Sequence, residues 1–238
     1  MPKLIFDIET IGEDFDFLDE DTKKSLTRWL KREAYSEEDY QAKMIEVKNG
    51  LGFSPLTGEI VALGVLDVDS DKGVVYYQAP GEKAEEIEKD GIKYKLTTEK
   101  EMLEKFWQGA DKYTEFISFN GRTFDVPYMF IRSMVHGLRP SKDLMSNRYV
   151  NSQKCHSLHI DLMDQLSFYG AMQRRGNLHL YCRALGIKSP KAEGITGDDV
   201  SKLYKNKEYK KIAEYNSWDL RATRELYLKW NKCLNNIK

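Results

Sequence analysis

A chain of 238 residues, 41% hydrophobic and 32% charged, is long enough to bury a substantial core and falls within the range of one large α/β domain. Its formal net charge of -1 excludes coating nucleic acid by bulk electrostatics, while leaving room for a local basic groove or a metal site that handles phosphates. Cys155, Cys182 and Cys233 form no C-x-x-C pair, no signal peptide precedes the first strand, and no apolar stretch approaches the roughly 20 residues of a membrane span. A cytoplasmic protein with reduced thiols is therefore expected.

Leu4-Ile5-Phe6-Asp7-Ile8-Glu9-Thr10 reads as a buried strand carrying two carboxylates on one face, with Phe6 and Ile8 packing on the other. Two buried like charges are costly unless a cation neutralises them, and a hard divalent metal does so most simply. From Gly12 to about Asn49 the chain is highly charged, and apolar residues at roughly helical spacing predict one or two surface helices. Ile60 to Leu66 and Val74 to Tyr77, joined through Asp69-Ser70-Asp71-Lys72-Gly73, predict a hairpin that makes an antiparallel meander with the first strand. Thr98 with Glu101 forms a capping box for a helix ending near Gly109. Next come a strand at Phe116 to Phe119, an Asn120-Gly121 turn and a helix from Val126 to His136 with Pro127 in its first turn. A short apolar piece at His159-Ile160 leads into a helix from Asp161 to Phe168. Further helices are expected at Leu178 to Leu185, Asp199 to Tyr204 and about Glu208 onward. The sum is an α/β fold, a mixed five-stranded sheet with three antiparallel strands first and helices on both faces.

Taken singly, the later acids are ordinary. Asp125 at a helix start suits an N-cap, and Tyr215 and Asp219, four apart on the last helix, share one face but could sit at a charged surface with Arg221 and Arg224. Together they supply the order Asp-x-Glu, Asp, Asp, with a tyrosine four residues before the last. On Phe6-Asp7-Ile8-Glu9-Thr10, Phe119-Asn120-Gly121 through Phe124-Asp125, and Tyr215 through Asp219, the chain resembles the DEDD exonucleases of the ribonuclease-H-like superfamily. Within them it resembles the tyrosine subgroup, as in the proofreading domains of family-B DNA polymerases. The histidine subgroup would carry His where this chain has Glu214. Asp161 through Asp164 and Leu178 through Ile187 look like connecting segments of stand-alone members. The resemblance is loosest over 12–50, which is expected as a charged helical insertion in a single exonuclease domain spanning 1–238.

The resemblance implies a 3'-5' exonuclease that hydrolyses phosphodiester bonds at single-stranded or frayed ends and releases nucleoside 5'-monophosphates, with DNA favoured over RNA. It implies two Mg2+ or Mn2+ ions, about 4 Å apart in such mechanisms, held by Asp7, Glu9, Asp125 and Asp219, with Asp125 acting largely through water. Tyr215, a poor base at neutral pH, is expected to orient the attacking water. Thr10, Asn120 and Phe124 are implied at the terminal nucleotide, while Phe124 reads equally well as a core residue. Arg122, Arg174, Arg175, Lys188 and Lys191 lie in predicted loops where phosphates could pass. His156 and His159 make a poor zinc pair, since an extended segment points them apart, and His136 and His179 read as isolated helical residues. The rival reading is a catalytically silent nucleic-acid-binding or scaffold protein that keeps the fold.

Overall fold

A computed structural model describes residues 1–83, 87–190 and 194–235. The opening apolar run forms β1 (Lys3–Gly12). Its Leu4, Phe6 and Ile8 join one hydrophobic cluster, while Ile5 and Ile11 join the other. The two-residue period thus puts Asp7 and Glu9 on the second face. The charged segment folds as three helices where one or two were expected: α1 (Glu20–Thr27), α2 (Leu30–Glu33) and α3 (Glu37–Gly50). The breaks are local, because Asp19 and Ser36 turn their side chains onto backbone amides and start α1 and α3 afresh. Only Leu30 is buried in these three helices.

β2 (Gly58–Asp67) and β3 (Gly73–Tyr77) form the expected hairpin, and β1, β2 and β3 pair antiparallel in succession. The sheet then exceeds the expectation, with seven strands among the described residues instead of five. The additional pair is β4 (Ile87–Lys89) and β5 (Ile92–Leu96), and β6 (Glu115–Ser118) and β7 (Leu158–Asp161) complete the order β4-β5-β3-β2-β1-β6-β7. Asp90 and Gly91 join the extra pair with φ of 52° and 76°, the left-handed two-residue turn that suits the twist of a hairpin. Ile92 and Tyr94 point inward and Lys93 outward, so β5 is a half-buried strand.

β6 and β7 run parallel to β1, so the carboxyl ends of three strands open on the same side. α4 (Glu99–Ala110), starting at the Thr98–Glu101 capping box, and α5 (Asp125–Val135) cover the Phe6 face. α6 (Leu162–Leu166) follows β7. The face carrying Asp7 and Glu9 lies under α7 (Leu178–Leu185), α8 (Val200–Lys205) and α9 (Tyr209–Cys233). His136 is not isolated. Its Nε2 lies 2.6 Å from Glu99, which also takes two hydrogen bonds from Arg132 and one from the Ile60 amide, fastening α4 and α5 to β2.

α9 comes down on the sheet at Gly64, the residue paired with Asp7 across the β1–β2 ladder. A Cβ at Gly64 would stand 2.0 Å from Asn216 Oδ1 and 2.6 Å from Leu220 Cδ1, so glycine is what lets this helix approach. Gly64→Ala is expected to lower the unfolding free energy by about 3 kcal/mol, as overpacking of a tight core does. The urea midpoint, read by circular dichroism, checks this.

Candidate active site

β1 delivers the first two acids. Beyond Ile5 it has no partner on its β6 side, because β6 pairs with β1 only over Lys3–Ile5 and then turns away. The Asp125 carboxylate takes up the slack by accepting a hydrogen bond from the Ile8 amide at 3.1 Å. Asp125 is therefore not the cap of its own helix. Phe124 occupies that position without a side-chain cap, and Asp125, one residue inside, ties α5 to β1.

The turn before Asp125 is equally constrained. Asn120 adopts φ 67°, which asparagine tolerates, and a Cβ at Gly121 would lie 2.3 Å from Ser118 Oγ. Asp161 caps α6 through the Met163 amide, and it does more: it accepts from the amides of Asn120 and Arg122, each at 2.9 Å. The end of β7 thereby shapes the loop that follows β6.

α9 supplies the remaining groups. Carboxylate oxygens of Asp7, Glu9 and Asp219 lie within 4.8 Å of one another, with Glu9 buried and the other two half-buried. Asp125 stands outside this trio but close enough that its charge acts on Asp7. The Tyr215 hydroxyl is hydrogen-bonded to Asp219, one turn along the helix. Arg221 and Arg224 are engaged on the neighbouring loop. Both turn to Asp71, and Arg224 also donates to the Val68 carbonyl. Glu214, where a histidine was weighed, points outward to Lys89.

Sequence reading missed Asn216. It is fully buried beside Tyr215 and donates through Nδ2 to Asp7 Oδ2 at 2.8 Å, while its Oδ1 has no partner. The only sequence signal was an amide side chain one residue after the tyrosine on an otherwise apolar helix face. Ser217 is also tied down, receiving a hydrogen bond from Tyr94 of β5 at 3.0 Å, so the unforeseen strand helps hold the functional turn of α9.

The carboxylates of the site act on one another electrostatically. Burial, followed by the neighbouring carboxylates Asp125, Asp219 and Glu9, raises the Asp7 carboxyl well above its ordinary range. Burial and then Asp219 do the same to Glu9, against the downward pull of Asn216. Asp125 is pushed up to about 7, chiefly by burial. The Tyr215 phenol is raised by burial and by Asp219, Glu9 and Asp7, which keeps its proton on. No lysine or arginine forms an ion pair with Asp7, Glu9 or Asp125 among the described residues. Three converging carboxylates fit a hard divalent ion such as Mg2+ or Mn2+.

Asp7, Glu9, Thr10, Asn120, Phe124, Tyr215 and Asp219 all line one cleft of about 880 Å³. Thr10 donates its hydroxyl to the Gly52 carbonyl at 2.7 Å. Asn120 holds Thr123 through its side-chain oxygen. Phe124 packs against the Phe6-side core beside Tyr128 and also lines the cleft. The cations differ from those expected. Arg122 donates to the Leu144 carbonyl, Arg174 and Arg175 are exposed away from the cleft lining, Lys188 lines a separate small cavity, and Lys191 lies outside the described residues. Lys48, Lys202 and Lys205 line the cleft instead. The last two sit three apart on α8, a spacing the sequence did offer. His159 is fully buried. Its Nδ1 reaches the Leu144 carbonyl at 3.1 Å and its Nε2 the Ser118 hydroxyl at 2.8 Å, and burial depresses its pKa to about 3, so it is a neutral core residue with no nitrogen left for zinc. His179 is likewise engaged, by Ser189 at 2.7 Å.

A family described as a predicted 3'-5' exonuclease related to the exonuclease domain of PolB matches residues 60–238. That stretch holds Asp125, Tyr215 and Asp219, whereas β1 with Asp7 and Glu9 lies before it. Among solved structures the chain is similar to the family B DNA polymerase of the hyperthermophilic archaeon Pyrobaculum calidifontis, with 15% identity and a TM-score of 0.58. The likeness covers 96% of this chain and 24% of the polymerase, so the chain spans about a quarter of that protein, and at this identity it speaks for the fold. No curated protein matches.

Carboxyls that ionise near 4 when unfolded but are raised in the fold make the metal-free protein lose stability as pH climbs from about 4 to about 7. Over that window the unfolded chain gives up protons that the folded chain keeps. In EDTA, Asp7→Asn is expected to flatten this fall relative to wild type. Mn2+ is expected to raise the melting temperature markedly at pH 8 and much less at pH 5, where protons compete for the ligands, and Asp219→Asn should abolish the rise. Thermal melts at both pH values, with and without Mn2+, check all three.

Proposed function

The chain belongs to the family of predicted 3'-5' exonucleases related to the exonuclease domain of PolB, and from that premise we propose that it is a DEDD exonuclease of the tyrosine subgroup acting on the 3' ends of single-stranded or frayed nucleic acid, DNA ahead of RNA. The observation that carries this is the converging Asp7–Glu9–Asp219 trio with the Tyr215 hydroxyl bonded to Asp219 in the same cleft. Asp7, Glu9 and Asp219 would hold divalent metal, with Asp125 behind them. Bound there, such ions acidify a water and stabilise charge on the departing sugar oxygen.

The chain's own groups do the rest. Tyr215, kept protonated with its O–H turned to Asp219, can accept a hydrogen bond from the water through its phenolic oxygen and so orient it for attack on phosphorus in line with the P–O3' bond. Cleavage of that bond leaves a nucleoside 5'-monophosphate and a new 3'-hydroxyl. Asn216 fixes the rotamer of Asp7 through its amide, and Asp161 fixes the Asn120–Arg122 turn. Thr10, Asn120 and Phe124 line the cleft and would meet a terminal sugar and base, while Lys202 and Lys205, also in its lining, would meet phosphates.

A 5'-labelled oligonucleotide incubated with Mg2+ or Mn2+ is expected to shorten stepwise from its 3' end. Asp7→Asn should slow this by about 10³-fold, and Tyr215→Phe by about 10²-fold through kcat. Internal fragments would argue for endonucleolytic cutting, and chelation-resistant binding without turnover would argue for a silent binding protein.

A further inference from the structure

The segment that leads from α3 back to the sheet ends in a 3-10 turn, Leu51–Phe53, and Phe53 is left 64% exposed while lining the cleft that holds Asp7, Glu9 and Tyr215. A single exposed aromatic is unremarkable on a protein surface. Here, though, the backbone beneath it is fastened to the end of β1. Leu51 is buried at 3% exposure, the Thr57 hydroxyl donates to the Leu51 carbonyl at 2.8 Å, and the Thr10 hydroxyl donates to the Gly52 carbonyl at 2.7 Å. Gly12 and Gly52 face each other so closely that neither has room for a Cβ. One at Gly12 would lie 2.7 Å from the Gly52 nitrogen, and one at Gly52 would lie 2.9 Å from the Gly12 nitrogen. Thr10, which anchors Gly52, directly follows Glu9. The backbone that carries the ring is thus fastened to the strand that bears Asp7 and Glu9, outside the residues that the exonuclease family matches.

An exposed aromatic on an immobilised backbone, inside a cleft whose acids would act on a 3'-terminal phosphodiester, has one chemically fitting occupant. Resting on the exonuclease reading, we infer that Phe53 stacks on a base of the 3'-terminal dinucleotide, so that the charged segment before β2 forms a substrate-gripping wall. Every base has a π-face, so the contact is indifferent to sequence, and it favours unpaired ends whose bases are free to leave their own stack. The ring has only two side-chain torsions to fix, and its backbone is already ordered.

The test measures both binding and turnover of a single-stranded 15-mer by wild type, Phe53→Ala and Phe53→Trp. Binding is read by fluorescence anisotropy in Ca2+, and turnover in Mn2+. Phe53→Ala is expected to weaken binding and raise KM by about tenfold, with the change falling on KM and not on kcat, while Phe53→Trp keeps wild-type values. An oligonucleotide with abasic residues at its last two positions should bind wild type and Phe53→Ala equally weakly. If wild type degrades the 15-mer and Phe53→Ala binds it as tightly, the stacking role is overturned and the exonuclease reading stands. If wild type binds but never degrades it, and Phe53→Ala loses that binding, the stacking role stands and the exonuclease reading falls.

Discussion

The structure turns on the burial of Asp7 and Glu9 in the middle of a sheet, beneath a helix that adds a third acid. A central strand is where side chains are most fully desolvated, and like charges there repel without water to screen them. What the fold provides in return is neutral: the Asn216 amide on Asp7, a tyrosine hydroxyl on Asp219 and the Ile8 amide on Asp125. These groups orient the carboxylates, an arrangement compatible with a hard, oxygen-loving cation.

The same demand explains the placement of α9. A 25-residue helix packed by Ile212, Leu220, Leu226 and Tyr227 has enough apolar anchorage to hold polar groups in its middle turns against the sheet. Gly64 gives it clearance, and Tyr94 grips it at Ser217. Functional geometry here is inherited from core packing.

Much of this was legible in the sequence where the signal was local. The period of two in β1, the β2–β3 hairpin, the Thr98–Glu101 box and the Tyr215–Asp219 spacing each rest on neighbours in the chain, and each appears in the fold. What stayed hidden depends on partners distant in sequence. That Asn216 meets Asp7, that Asp125 serves Ile8 instead of its own helix, and that His136 meets Glu99 are consequences of how elements pack. The β4–β5 hairpin is a different case. Asp90-Gly91 between Ile87 and Ile92-x-Tyr94 is a local signal, masked by the lysines and glutamates that dress the outward face of an edge. The cationic residues of the cleft were the least legible, since an exposed lysine looks the same in sequence whether or not it faces a binding site.

The clamp on α9 also bears on how the molecule breathes. Residues 215–219 are held by β1 through Asn216, by β5 through Ser217 and by the close approach at Gly64, and they lie far from either end of the helix. Fraying from the termini does not reach them, so their amide protons exchange with solvent only when the whole domain opens. The helices that lead up to the Phe53 turn belong to the opposite regime, burying only Leu30, while the turn itself stays fastened to β1. One side of the cleft is thereby as slow to exchange as the core itself, and on the other the fastened turn divides the strand from a layer of helices that can exchange by local opening.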